Sequence, residues 1–430
     1  MDPSQVRPSA RQLAWQRQEL TAFVHFGVNT FTDLEWGTGL DDPAVYDPQE
    51  LDCDQWVRVL VDAGFKSVIL TAKHHDGFCL WPSQYLTHNV TASPSGRDVM
   101  AELSAACAEH GLGLGFYLSP ADLYQEKASG GYYGNGSPAV PSKIPSLGEP
   151  RFRYEVDDYN RFYLNQLYEL LTQYGPICEV WLDGANPTST AQEYAFDAWF
   201  DLIRQLAPEA TIAVGGPDVR WVGNEDGFAR ETEWSVVPFA GGQMVAEQTA
   251  VEVAGAEQLA AADELRWYPA EVDVSIRPGW FYHASEDDAV KPVPELLDIY
   301  RKSVGRNAVL LLNVPPDRRG RFADPDVQAL TAFGAAVRSY YGTAVELPGS
   351  FNVLSLREDI AAGQQVSSFA VDALVDGAWT EIAVGTTIGH RRLIPLEQSV
   401  TADAVRVRLL ATRAPDPAVT LTVHHDPTLS

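Results

Sequence analysis

Basic residues are scarce in this chain: 31 lysines and arginines stand against 58 aspartates and glutamates, a formal charge of −27 over 430 residues. A surface of that sign repels phosphate backbones and anionic lipid, so nucleic acid and membrane surfaces are excluded as expected partners. Cysteine is scarce too. Cys53, Cys79, Cys107 and Cys178 form no CxxC pair, and each sits among apolar neighbours. Reduced, buried thiols are expected, which suits a reducing compartment. No stretch of about 18 apolar residues is present, so no spanning helix is expected. The opening MDPSQVRPSARQLAWQ has no apolar core of a signal peptide, and the expected location is the cytoplasm. Internal repeats and low-complexity tracts are absent.

What is present is a long alternation of apolar runs with helical patterns. Strand candidates are Ala22–Val28, Ser67–Ala72, Leu112–Leu118, Ile177–Leu182, Thr211–Val214, Glu233–Val237, Glu271–Ile276 and Ala308–Val314. Helical spacing is clear at Cys53–Ala63, Arg97–His110 and Asp157–Tyr174. Eight strands alternating with helices predict a (β/α)8-type α/β barrel over residues 1–340. Helical patterning weakens after the fifth strand, so that side is expected to be irregular. Residues 124–150 are rich in Gly, Ser and Pro and read as a long surface loop. From about Tyr341 the pattern changes to short strand runs separated by turn residues, predicting a C-terminal all-β sandwich over 341–430. Ten of the eleven tryptophans precede it. Aromatic faces stack on sugar rings, although most of these tryptophans are expected simply to fill a core. The sandwich shows no aromatic platform and is expected to pack on the barrel.

The run Val180-Trp181-Leu182-Asp183-Gly184-Ala185 carries the most chemistry. It is an apolar strand that ends on one carboxylate and turns at a glycine. Barrel active sites lie where strands finish, so Asp183 there suits a nucleophile on a sugar carbon. The plainer reading is a cap on the following turn. Histidines and tryptophan close three more apolar runs: His25-Phe26-Gly27, Lys73-His74-His75-Asp76-Gly77, and Arg277-Pro278-Gly279-Trp280-Phe281-Tyr282-His283. With candidate acids Asp218, Glu225, Asp226, Glu231 and Glu233 following strand five, two carboxyls for glycoside cleavage are available.

Together these strings resemble glycoside hydrolase family 29, the retaining α-L-fucosidases, from about Pro8 to Pro316 and more weakly beyond. The stretches Pro217–Glu225 and Val272–Trp280 resemble the subgroup selective for α-1,3/1,4-linked fucose. The resemblance implies Asp183 as nucleophile and Glu225 as acid/base, with Glu231 or Glu233 as the remaining candidates. It also implies a sugar pocket of His25, Glu35, Trp36, His74, His75 and Tyr117. Trp221 is expected to wall the acid, and Trp280 to pack against the C6 methyl that distinguishes fucose from galactose. His283 reads equally as structural or functional. The implied partners are fucosylated oligosaccharides or glycoconjugates, with no cofactor and no metal.

Two rival readings remain. A metal-dependent hydrolase would use His25, His74, His75 and Asp183 as zinc donors. However, the first strand offers a single histidine, and adjacent His74 and His75 do not easily share one ion. A lectin-like barrel would require a missing carboxylate, and both candidates are present.

Overall fold

The structure is a computed structural model that describes residues 1–127, 153–189 and 192–429. Eight parallel strands form one sheet that curls into a nearly closed barrel. In chain order they are β1 (Leu20–Val24), β2 (Ser67–Lys73), β3 (Gly113–Leu118), β4 (Ile177–Leu182), β5 (Thr211–Val214), β6 (Arg220–Trp221), β7 (Ala270–Ser275) and β8 (Val309–Asn313). Their order around the sheet is β5-β4-β3-β2-β1-β8-β7-β6. A parallel bridge between Ala213 and Val219 joins the two ends.

Side-chain alternation explains why these segments build a barrel. Outward residues such as Val68, Leu70, Leu114, Phe116, Val180 and Leu182 bury against the surrounding helices. The alternate residues Phe23, Ile69, Tyr117, Trp181, Ala213, Val309 and Leu311 fill the interior. A strand buried on both faces reads as one apolar run, which is what a parallel sheet requires. Helices Cys53–Ala63, Val99–His110 and Asp158–Gln173 begin with Asp52, Asp98 and Asp157. Each aspartate accepts a backbone N–H of the first turn, a stabilising cap of about 1 kcal/mol.

The irregular side lies after β5, where the weak patterning placed it. Residues 215–219 form no helix, and the chain passes from β5 to β6 through a tight turn. A Cβ on Gly216 would lie 2.3 Å from the Ile212 side chain and 2.5 Å from its carbonyl oxygen, so only glycine fits. The sixth strand is a correction to the sequence reading. Arg220–Trp221 holds that place, and the expected Glu233–Val237 run does not. Val236–Ala240 instead pairs antiparallel with Gln243–Met244 and Glu264–Trp267 in a separate small sheet. A two-residue strand is too short to leave a periodic signal, whereas Val236 and Val237 are buried and apolar without belonging to the barrel.

After helix Asp324–Tyr341 come six strands in two antiparallel three-stranded sheets. These are β9 (Gly349–Glu358), β10 (Val366–Val375), β11 (Ala378–Gly385), β12 (Arg392–Ala402), β13 (Ala404–Thr412) and β14 (Val419–His424). Phe351, Leu356, Phe369 and Val371 lie between the sheets as their core. Arg357 and Arg391 reach Glu19 at the foot of the barrel, at 2.6 and 2.8 Å. The four cysteines are free, with Cys178 the least buried.

The barrel interior also holds carboxyls, each receiving an indole N–H. Trp15 donates to Glu179 at 3.0 Å, Trp181 to Glu271 at 2.8 Å and Trp221 to Asp273 at 2.8 Å. Burial disfavours their charge. It raises Glu179 well above the carboxyl range, with Glu271 nearby adding to the effect. Glu271 and Asp273 are each pushed up to about 8. Near neutral pH the folded chain therefore keeps protons that the unfolded chain releases above about pH 4. Stability should fall as pH rises through this window, by up to about 1.4 kcal/mol per pH unit for each retained proton. Glu271→Gln keeps an acceptor for Trp181 and removes one such proton. Melting temperatures between pH 5 and 8.5 are expected to decline less steeply in this variant than in the parent, and an equal slope would show that Glu271 is charged throughout.

Candidate active site

A cavity of about 350 Å3 opens at the C-terminal ends of the strands, the face on which barrel enzymes place their chemistry. Its walls include His25, Glu35, Trp36, His74, His75, Tyr117, Asp183, Trp221, Glu225 and Trp280. The ten residues that the resemblance assigned to the nucleophile, the acid/base and the sugar pocket thus meet in one place. The loops after β1, β2, β4, β6 and β7 contribute, and Tyr117 comes from β3.

The histidines take fixed tautomers from their neighbours. Asn313, at the end of β8, donates from its amide nitrogen to Ser275 at 2.9 Å and to the Trp280 carbonyl at 2.8 Å. Its oxygen therefore faces His25 and accepts from Nδ1–H at 2.8 Å. This leaves Nε2 of His25 as an acceptor. Burial holds His25 neutral, its pKa lowered to about 4. At His74 the pattern reverses: Asn29 donates to Nδ1 at 3.4 Å, leaving an Nε2–H donor. Burial, reinforced by His75 and His25, keeps His74 neutral too. One neutral imidazole that accepts beside one that donates is a fitting pair for sugar hydroxyls.

A register shift between Thr71 and Lys73 breaks the alternation of β2 just before these histidines. Lys73 turns outward to Asp122 at 2.8 Å and Gln166 at 2.9 Å. The two histidines that follow line the cavity with ring centres 4.4 Å apart. Ser119 donates to the Ala121 carbonyl at 2.6 Å, so its oxygen accepts from His75 Nδ1 at 2.7 Å. The far nitrogen of His75 lies 3.4 Å from Asp183 Oδ2.

Asp183 is the centre of this network. Its Oδ2 accepts from Tyr117 at 2.9 Å, and its Oδ1 accepts the Ala185 N–H at 2.8 Å. The second bond is the turn cap of the plainer reading, so the one side chain both caps its turn and faces the cavity. Burial favours protonation, but His75, the Ala185 amide and Tyr117 outweigh it and hold the carboxyl below its ordinary value. Glu225 is shifted the other way. Partial burial raises it, a bond from Trp280 opposes this, and the charges of Asp183 and Asp226 raise it further. Two carboxyls shifted in opposite directions thus share a cavity.

Of the other candidate acids, Asp226 is exposed and does not line the cavity, and the remaining three are committed to ion pairs. Glu231 bonds Arg306 and, at 2.6 Å, Arg392, which hold its pKa down. Glu233 is buried between Arg220 and Arg230. Asp218 binds Arg204 and, at 2.8 Å, the Ile212 amide. No three of the histidine and Asp183 donor atoms converge within 4.8 Å. Among the described residues only Asp54, Glu109 and His110 do, on the outer helices.

A family model described as alpha-L-fucosidase matches residues 16–341. The chain is 39% identical to alpha-L-fucosidase 1 of Arabidopsis thaliana over 446 residues, 90% of this chain and 81% of that protein. It belongs to glycoside hydrolase family 29, the α-L-fucosidases. A family 29 member from an unknown rumen bacterium superposes with a TM-score of 0.84 at 35% identity, covering 100% of this chain and 79% of that one. A family 29 fucosidase of Ruminococcus gnavus, solved with fucose, gives a TM-score of 0.83 at 29% identity over 99% and 96% of the two chains. The chain is thus a glycoside hydrolase of the α-L-fucosidase family, built as a barrel followed by β-sheets.

Three fucosidase-site residues escaped the sequence reading: Asp273, Asn313 and Ser119. Asp273 and Asn313 had a readable signal. In β7 the inward Glu271, Asp273 and Ser275 alternate with Val272 and Val274, and Asn313 ends an apolar run as Asp183 does. Ser119 had none, because its role depends on the orientation of His75.

Proposed function

We propose that this α-L-fucosidase releases terminal L-fucose with retention, by double displacement through a fucosyl–Asp183 ester. The observation that carries this reading is the divergence of two carboxyls in one cavity, Asp183 held below its ordinary value and Glu225 raised above its own. Environments that push two titratable groups apart assign base and acid. In the first step an Asp183 oxygen bonds to the anomeric carbon while the glycosidic bond breaks. The Glu225 proton passes to the departing oxygen. In the second step Glu225 takes a proton from water, the water oxygen bonds to the same carbon, and the ester bond to Asp183 breaks. Each displacement inverts the centre, so the product keeps the α configuration. His25 and His74 orient the ring hydroxyls, and Trp280, whose ring stands 5.1 Å from His25, offers an apolar face to the C6 methyl.

Glu225→Ala is expected to slow an oligosaccharide with a poor leaving group by at least about 100-fold, the usual contribution of a general acid. An activated aryl fucoside should suffer less at this step, with azide restoring its turnover. Asp273→Asn tests the other raised carboxyl of the cavity and should show no azide rescue. Proton NMR of the parent reaction should detect α-L-fucose first. β-Fucose as first product, or azide rescue confined to the Asp273 variant, would overturn these assignments.

The preferred substrate in this proposal is α-1,3/1,4-linked fucose on branched, Lewis-type glycans. The stretches Pro217–Glu225 and Val272–Trp280 support it by their likeness to that subgroup. Gln248, from the segment between β6 and β7, reaches the cavity and extends its wall. The long loop expected to help lies largely outside the described residues, of which 124–127 belong to helix Leu123–Lys127. Binding energy from a second branch orients the scissile bond, so truncated substrates lose rate. A Lewis a trisaccharide should have a kcat/KM at least about tenfold above those of 2′-fucosyllactose and an aryl fucoside. Equal values for the three would establish broad specificity instead.

A further inference from the structure

The loop after β7 places a fourth imidazole against the cavity wall, and its two nitrogens are both taken by carboxylates. Nδ1 of His283 lies 2.8 Å from Asp33 Oδ1, and Nε2 lies 2.6 Å from Glu35 Oε1. Carboxylates only accept, so both ring nitrogens must donate and the ring carries two protons. Glu35 lines the cavity, and its remaining bonds run to the same loop. Its Oε2 accepts from the Trp280 amide at 2.8 Å, and its Oε1 from the Phe281 amide at 3.2 Å. Three of its acceptor sites are therefore filled from the β7 loop, leaving one for a ligand.

The local backbone is built for this contact. Asp33 takes left-handed φ at the end of helix Val28–Thr32, which turns the chain toward Glu35. A Cβ on Gly279 would sit 2.6 Å from Glu35 Oε1 and 2.9 Å from the His283 ring. The charged groups facing His283 are Asp33 and Glu35 from the β1 loop and Glu286 from its own loop. Arg318, 3.8 Å from Asp33, is the nearby cation. Burial opposes charge on the ring, but the bonds to Asp33 and Glu35 prevail and raise its pKa.

We infer that His283 is a positioning residue of the sugar pocket: an imidazolium that bridges Asp33 to Glu35 and fixes the Glu35 carboxylate in the orientation that meets the sugar. It rests on the fucosidase reading only in that Glu35 meets a sugar. A raised imidazole value means the bridge is complete below that value and is lost as pH rises through it.

The test has one arm that needs no substrate. Histidine-selective NMR of the free enzyme, with the His283 signal assigned by its loss in His283→Gln, should show a pKa above the ordinary 6.5 or so. A value below this overturns the inference. In the second arm, the KM of the parent enzyme for an aryl fucoside should rise as His283 deprotonates, and at a fixed pH below that value kcat of His283→Gln should stay within about threefold of the parent. His283→Gln, which retains one donor, should raise KM about tenfold with that rise removed. Gly279→Ala crowds both Glu35 and the His283 ring but retains the imidazole. It should raise KM similarly, with the His283 titration still visible by NMR. A His283→Gln KM within about twofold of the parent across the pH range also overturns the inference. If the parent cleaves no fucoside at all, the functional reading fails, and the NMR arm alone decides whether the bridge exists.

Discussion

Keeping one carboxylate charged among acids that hold their protons is the constraint on which this site depends. Asp183 sits in a cavity with Glu225 and Asp273, above a barrel interior that contains Glu271 and Glu179. Burial and mutual repulsion push all of these toward protonation. Only Asp183 is held down against burial: the Tyr117 hydroxyl and the Ala185 amide donate to it, and the His75 ring lies 3.4 Å away. A buried charge persists only when such bonds replace water. Glu271 and Asp273, each pushed up to about 8, in turn place little negative charge near Asp183 at neutral pH.

The architecture follows from positioning those donors. Tyr117 and Trp181 face each other across adjacent strands, their rings stacked 5.4 Å apart, so the hydroxyl beside Asp183 is carried on a rigid aromatic layer. The register shift in β2 releases Lys73 to the outside and brings His74 and His75 to the inside. Loops are joined across the mouth: Asn313 of β8 fixes both His25 and the Trp280 backbone, and Glu35 docks on the β7 loop. These residues hold one another, so the pocket is preformed around its ligand, which limits the cost of ordering on binding.

Where a polar residue ends a long apolar run, the site was legible in the sequence. His25, His74, His75 and Asp183 gave that signal, and the family resemblance then supplied Glu35, Trp36, Tyr117, Trp221, Glu225 and Trp280. Most barrel strands were legible as well, because burial on both faces makes them continuously apolar. The sixth was not, since Arg220–Trp221 is two residues long and a neighbouring buried segment imitates a barrel strand. Asp273 escaped because an acid within a strand looks like a flaw in the pattern until alternation shows that it faces inward. Glu231 and Glu233 could be set apart from Glu225 only in three dimensions, because their arginine partners Arg306, Arg392 and Arg220 are brought to them by folding.

In the proposed mechanism Asp183 is the charged group that bonds to the sugar. A 2-deoxy-2-fluoro-L-fucosyl fluoride combines a good leaving group with slow hydrolysis of the ester, so the covalent intermediate should accumulate. Mass spectrometry of the trapped enzyme after proteolysis is expected to place one fluorofucosyl group on the Asp183 side chain. An adduct on Glu225, on Asp273 or on any other carboxyl would rule out Asp183 as the nucleophile.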